Sequence, residues 1–235
     1  MRRRDFLNTI GLGASAAFLE ACNSFGPKSA QGLLRWAERK NEGVERWLLS
    51  SRSRDRLATN AKLAGSAFPK YFISDAMPTW DPAMRGAWSL QVTGAVKKPA
   101  SLSLDDLMKL RRTTQRVHHY CVEGWTANAE WTGVRLSDLV KLVEPLPDAA
   151  FVDFQSFDSD YHESWDMESA THPQTLIAYA MDGAFLGAGH GAPARVHSPV
   201  KLGYKNTKYL TKIVFMPTRN GGYWSDRGYE WYGGV

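Results

Sequence analysis

The segment Val117-His118-His119-Tyr120-Cys121-Val122-Glu123-Gly124-Trp125 places a thiol beside two imidazoles, a carboxylate and an indole. Thiolate is a soft, strongly donating ligand suited to a soft or high-valent metal centre. A free cysteine also packs as a small buried hydrophobe, so burial and chemistry compete as readings of Cys121. The chain has two cysteines. Cys22 lies in the leader described below, which leaves Cys121 without a disulfide partner if the protein is exported. Metal ligation would explain such a thiol. Neighbouring side chains on a strand point to opposite faces, so only one of His118 and His119 should reach a site at Cys121; His119 is the candidate, with an imidazole that orients the cysteine loop.

The chain opens Met1-Arg2-Arg3-Arg4-Asp5-Phe6-Leu7, followed by an apolar run from Ile10 to Leu19. This order resembles a twin-arginine signal, which exports proteins already folded around a cofactor. The run is too short to span a bilayer as a permanent helix. Leu19-Glu20-Ala21-Cys22 also reads as a lipoprotein cleavage box, with Glu20 atypical. Lipidation at Cys22, ordinary cleavage and an uncleaved anchor stay open. Periplasmic localisation is the expectation.

The organisation read from the sequence is a signal over 1–22, a helical extension and linker over 23–66, and one catalytic domain over 67–235. Residues 23–62 carry nine basic and four acidic side chains, whereas 63–235 carry seventeen basic and eighteen acidic. The basic character therefore belongs to the extension, which suits anionic lipid or an acidic partner. The main domain shows no nucleic-acid signature. Leu33, Leu34, Trp36, Ala37, Val44, Trp47 and Leu48 recur at helical spacing, and Asn41-Glu42-Gly43 predicts a break into two short helices that pack on the main domain. Trp88–Gly94 alternates as a strand. Ser103 caps a helix with Asp105 and Asp106 in its first turn, and Ser137 opens another. Segments 151–154, 176–179 and 212–215 read as strands, so the fold class is α+β: mixed sheets with short helices, preceded by the helical N-terminal extension.

Three segments together resemble the oxidoreductase molybdopterin-binding domain of the sulfite oxidase family. They are Cys121-Val122-Glu123-Gly124-Trp125 with Trp131-Thr132-Gly133, His190-Gly191-Ala192-Pro193-Ala194-Arg195, and Gly203-Tyr204-Lys205-Asn206-Thr207-Lys208-Tyr209. The likeness runs from about residue 68 to 217. It implies a sulfite-oxidase-type fold and Mo-molybdopterin as cofactor, with Cys121 as the metal ligand. It implies that Arg195 and Lys208 hold the pterin phosphate, the first by paired hydrogen bonds and the second as a point charge. Gly203 and the Asn206-Thr207 backbone would let the chain approach the cofactor closely. Ser156 stands where a threonine usually contacts the cofactor, and His190 where relatives carry His or Asn. Tyr71–Pro78 corresponds to the first cofactor loop; there Asp75 replaces an asparagine and Ala76 a histidine, and Ser74 and Asp75 are carried over.

The sulfite-binding arginine that follows the cysteine in sulfite oxidases has no counterpart here. Glu123 would repel that anion, so sulfite oxidation is the lesser reading. The Cys-Val-Glu-x-Trp pattern is closer to the bacterial exported branch that includes the protein-methionine-sulfoxide reductase catalytic subunit. On that reading Glu123 carries a proton and Trp125 walls the pocket or stacks on the substrate. Both also have plain readings, a solvated loop acid and a core aromatic. No Cys-x-x-Cys-His or iron–sulfur cysteine set is present, and the stretch after the last motif is too short for a sulfite-oxidase dimerisation domain. The implied protein is a small, monomeric catalytic subunit that draws electrons from a haem-containing partner such as a membrane cytochrome b, with the aromatic, glycine-rich stretch 221–235 as a candidate contact. Two other classes remain: a cysteine-nucleophile hydrolase activated by His118, His172 or His197, and a cofactor-free exported binding protein.

Overall fold

A computed structural model describes residues 27–49, 56–58, 60–158 and 160–235. The signal and lipobox readings on residues 1–22 lie outside the described residues. The chain divides into two compact units, Met1–Trp47 and Leu48–Val235.

Pro27–Leu49, all but its last two residues in the first unit, forms one continuous helix, α1, where two were expected. Gly43 weakens a helix interior by about 1 kcal/mol. Against that, Arg46 donates to Glu42 at 2.8 Å and Asn41 to Glu45 at 3.0 Å, one turn apart and spanning the glycine. Such pairs contribute a few tenths of a kcal/mol each and offset part of that cost.

In the second unit, residues 57 and 64, expected within a linker, hydrogen-bond by their backbones to Arg116 and Asn128. The short helix α2, Pro82–Arg85, is capped by Asp81. One sheet then has the order β2-β1-β10-β5-β6, built from β1 (Ser89–Gly94), β2 (Ala100–Ser103), β5 (Phe151–Ser156), β6 (His162–Asp166) and β10 (Leu210–Met216). Only β1 and β10 run parallel; the other pairs are antiparallel. The second sheet has the order β3-β4-β7-β8, with β9 on β7. Its strands are β3 (Arg112–Tyr120), β4 (Thr126–Arg135), β7 (Leu176–Met181), β8 (Ala184–Phe185) and β9 (Arg195–His197). The predicted strands at 88–94, 151–154, 176–179 and 212–215 all form.

Ser103 caps α3, Leu104–Lys109, through a reciprocal capping box with Asp106. The helix predicted at Ser137 is α4, Leu136–Val143, which buries Leu136, Leu139 and Val143. A fifth helix, α5, spans Met167–Thr171. Leu90, Val92, Phe154, Trp165 and Ile213 of the first sheet share a core with Val134, Ile177 and α4. A second cluster, around Phe68, Val117, Ala129 and Trp131, lies beneath the β3–β4 hairpin. Gly133 stands where β4 shifts register against β7; a Cβ there would lie 2.1 Å from the Ile177 carbonyl oxygen. That close approach accounts for the glycine of the Trp-Thr-Gly segment.

The tail beyond β10 is partly interior. Trp231 and Tyr232 are buried. Lys201 donates to the Tyr232 carbonyl at 2.6 Å, and fully buried Lys205 pairs with Glu163, whose other oxygen accepts from Trp224 N–H at 3.0 Å. Much of stretch 221–235 is thus occupied in packing against its own domain rather than free to meet a partner.

Candidate active site

The β3–β4 hairpin closes through the loop Cys121–Trp125. Cys121 N–H donates to the Trp125 carbonyl at 3.0 Å, and Gly124 N–H to the Cys121 carbonyl at 3.1 Å, with Gly124 at φ +87°. Glycine adopts that backbone without steric cost, so the turn presents Cys121, Glu123 and Trp125 together. The Cys121 sulfur lies 3.8 Å from Glu123 Oε2, and the Trp125 indole N–H donates to the same oxygen at 2.9 Å. Trp125 in turn stacks on Tyr71, with ring centroids 6.2 Å apart. Burial pushes the Cys121 thiol up, and the Glu123 charge adds to that effect. Such a sulfur gives up its proton to a metal more readily than to water.

These residues border a cavity of about 340 Å³. His119, two residues before the cysteine, turns inward as the strand alternation requires, while His118 is on the other face of β3. The His119 ring packs against Phe68 at 5.3 Å and meets His197 nitrogen to nitrogen at 3.4 Å. Burial first, then the charges of Arg195 and Lys208, lowers its pKa to about 3, so it stays a neutral imidazole. Gly203 makes room for it: a Cβ there would lie 2.9 Å from His119 Nε2. The close approach expected at Gly203 is thus toward this ring.

The opposite wall is cationic. Arg195 is 3% exposed and lies over the Trp131 ring, its guanidinium carbon 4.9 Å from the centroid. It donates to the carbonyls of His190 at 3.1 Å, Asn206 at 3.2 Å and Val196 at 3.3 Å. Lys208 donates to the carbonyls of Gly189, at 2.8 Å, and Tyr71. Gly191, at φ +98°, packs on the Lys208 stem, where a Cβ would lie 2.9 Å from Lys208 Cβ. The His-Gly-Ala-Pro and Gly-Tyr-Lys segments meet at that contact. Burial lowers Lys208 to about 7, with Arg195 adding like-charge repulsion, and lowers Arg195 to about 10. Two cations whose hydrogen bonds go to neutral carbonyls, with the Asp158 charge acting on Lys208, form a wall that can receive an anion.

Of the residues singled out in the sequence, Cys121, Glu123, Trp125, His119, Ser156, Arg195, Asn206 and Lys208 line this cavity. Ser74, Asp75, His190 and Thr207 do not. The Ser74 hydroxyl and N–H, with Ile73 N–H, are donated to Asp158, which pins the 71–74 loop. Asp75 points to solvent, because the chain turns outward after that clamp. His190 sits one layer back, edge-on to Phe68 at 5.6 Å. Thr207 is buried, and its carbonyl accepts from Val196 N–H. The side chains of His190 and Thr207 nonetheless carry buried polar atoms, Nδ1 and Oγ1, with no hydrogen bond among the described residues. Sequence reasoning missed Asp158, Tyr161, Tyr204, Trp224 and Tyr229 in the lining. Tyr204 fell inside a motif, and Trp224 and Tyr229 in the aromatic, glycine-rich stretch read as a partner contact; Asp158 and Tyr161 come from a turn that carries no pattern of its own.

The oxidoreductase molybdopterin-binding domain matches residues 76–224, well over half of the chain. The chain belongs to that family. A putative protein-methionine-sulfoxide reductase subunit of Azospira oryzae is 34% identical, covering 99% of this chain and 87% of its own. The protein-methionine-sulfoxide reductase catalytic subunit of Burkholderia mallei is 30% identical across 75% of this chain, but this chain spans only 65% of it. The sulfane dehydrogenase SoxCD of Paracoccus pantotrophus superposes with a TM-score of 0.54 at 23% identity, over 56% of this chain and 39% of that one, a likeness of fold.

This family member is an oxidoreductase with Mo-molybdopterin as its cofactor, as the motifs led us to expect, and the fold is of the sulfite oxidase type. The residues present fit the group. One thiol and two cations line the same cavity, and no cluster of three His, Cys, Asp or Glu among the described residues offers a protein-built metal cage. A cofactor that brings its own sulfur ligands needs only the one thiolate.

Proposed function

We propose that this chain is the catalytic subunit of an exported S-oxide reductase in which Cys121 is the protein ligand to molybdenum. The bound cofactor would supply two-electron oxygen-atom-transfer chemistry. Arg195 and Lys208 would hold its phosphate, with the Ser156 hydroxyl in the same lining placed to add a hydrogen bond. The observation that carries the reading is the loop geometry. A carboxylate fixed by Trp125 lies beside the thiol, where a departing oxygen needs a proton. Glu123 would pass a proton to that oxygen, and Trp125 with Tyr71 forms a flat wall that would receive an uncharged S-oxide.

The same carboxylate disfavours sulfite, a dianion with no cation on the Cys121–Trp125 loop to meet it. A cysteine-nucleophile hydrolase is also disfavoured. The Cys121 thiol has its pKa raised and meets Glu123, whereas His197 is engaged with His119. The methionine-sulfoxide reductase names of the Azospira and Burkholderia relatives support S-oxide reduction. Electrons come from a separate haem protein, with a membrane cytochrome b as the proposed donor. The catalytic subunit works as a monomer in the periplasm after twin-arginine export, with Cys22 as an optional lipid tether.

The test is elemental analysis of the exported protein and of Cys121→Ser, beside reduction of methionine sulfoxide and of dimethyl sulfoxide by a reduced viologen. Near-stoichiometric molybdenum with S-oxide turnover in the parent, both lost or sharply reduced in the variant, is the expected result. Molybdenum with sulfite oxidation and no S-oxide turnover would replace the substrate assignment. Equal molybdenum and activity in the serine variant would remove Cys121 as ligand.

A further inference from the structure

The helix α1 carries an apolar face that does not look like a core element. Leu33, Leu34, Trp36, Val44, Trp47 and Leu48 are all exposed, Trp47 to 80%. Eleven residues are close to three helical turns, so Leu33 lies under Val44, Trp36 under Trp47 and Ala37 under Leu48. These three rows form one continuous apolar stripe, with exposed Lys40 set within it. The stripe is convex and runs most of a helix about 35 Å long. A surface of this size on a water-soluble face is normally covered.

We infer that α1 lies on the surface of an anionic lipid bilayer, with its apolar stripe in the headgroup boundary. The charge pattern selects this occupant. Residues 23–62 carry nine basic and four acidic side chains, while 63–235 carry one more acid than base. The helix itself carries five basic and three acidic side chains, and residues 50–62 that follow it carry four basic and one acidic, so positive charge gathers on and just after the segment that bears the stripe, as attraction to anionic headgroups requires. Tryptophan is the side chain that settles at the water–lipid boundary, and here two form one row of the stripe. A lysine among them extends its ammonium back to the phosphates. No helix among the described residues is long and apolar enough to cross a membrane, so α1 would lie along the surface rather than span it. The inference concerns attachment, and it stands apart from the reaction proposed above.

The test is co-sedimentation of the full chain with vesicles, comparing pure phosphatidylcholine with an equal mixture of phosphatidylcholine and phosphatidylglycerol. The parent should pellet with the anionic vesicles and stay in solution with the neutral ones, and release should follow about 1 M salt, which shortens the screening length to about 3 Å. Trp36→Glu combined with Trp47→Glu should weaken binding about tenfold or more, and so should Arg52→Glu, Arg54→Glu and Arg56→Glu together, because both terms of interfacial binding are then lowered. Molybdenum content should be unchanged in both variants, which reports that the domain has folded and loaded. Failure of the parent to pellet, or equal pelleting of the parent and both variants, would overturn the inference. So would a vesicle-free dimer dispersed by the tryptophan substitutions, since the stripe would then cover a second copy of this chain.

Discussion

Lys208 and Gly191 touch across two separate sequence motifs: the lysine stem occupies the space that a side chain at 191 would fill, and its ammonium is donated to carbonyls of Gly189 and Tyr71. This contact assembles the cationic wall of the cavity, and its pH dependence follows. With its pKa at about 7, Lys208 is charged below that pH and increasingly neutral above it in the cofactor-free protein. Capture of molybdopterin by cofactor-free chain should therefore weaken as pH rises from 6 to 8, by up to about tenfold per unit above 7. Lys208→Met should bind weakly throughout and lose that slope. Titration of the cofactor-free protein with molybdopterin at a series of pH values checks both.

Glu123 accepts from the Trp125 indole within reach of the Cys121 sulfur. Glu123→Gln preserves size and an acceptor but carries no titratable proton. The expected outcome is molybdenum content near that of the parent with kcat for S-oxide reduction lowered about 10²–10⁴-fold, the usual range for losing a positioned proton donor. Turnover with a viologen donor, paired with metal analysis, separates this from a loading defect.

His119 and His197 are buried and held neutral, and both pKa values lie below that of a free imidazole, burial being the main cause. The unfolded chain protonates these rings near pH 6.5 while the folded chain does not. Their contribution is thus fully present above 6.5 and is lost as pH falls from there toward the folded-state values, about 3 for His119. By pH 5 one such ring should cost about 2 kcal/mol. Thermal melts of the cofactor-free protein at pH 7 and pH 5 should show the drop, and His197→Leu should make it shallower.

Gly133 is required by the distance between β4 and β7 rather than by its own torsion. Gly133→Ala would place a methyl group 2.1 Å from the Ile177 oxygen, with backbone on both sides. The expected loss is about 1–3 kcal/mol, or more if the β4–β7 ladder parts. Denaturant midpoints measure it, and Gly124→Ala offers a contrast, since open space surrounds that position and only its positive φ resists the change.

The residue pattern alone determined a good deal here. Strand alternation in 117–120 announced that His118 and His119 face opposite ways, and the structure turns His119 toward the cavity. Ser103 as a cap with acidic residues in the first turn, and Ser137 at the start of a second helix, announced their helices because helix starts are set locally. The cysteine loop and the two cationic motifs carried the family. The tertiary structure decided what depends on contacts far apart in sequence. That Asp158 holds the 71–74 loop, that Ser74 spends its hydroxyl on that clamp, and that Asp75 then faces solvent could not be read from residues lying more than eighty positions apart. Trp224 and Tyr229 reach the cavity only because Lys205 and Glu163 fasten the tail, a buried pair with no sequence periodicity. At Gly43 one helix replaced two, since a single glycine costs a helix only about 1 kcal/mol and side-chain pairs across it offset part of that.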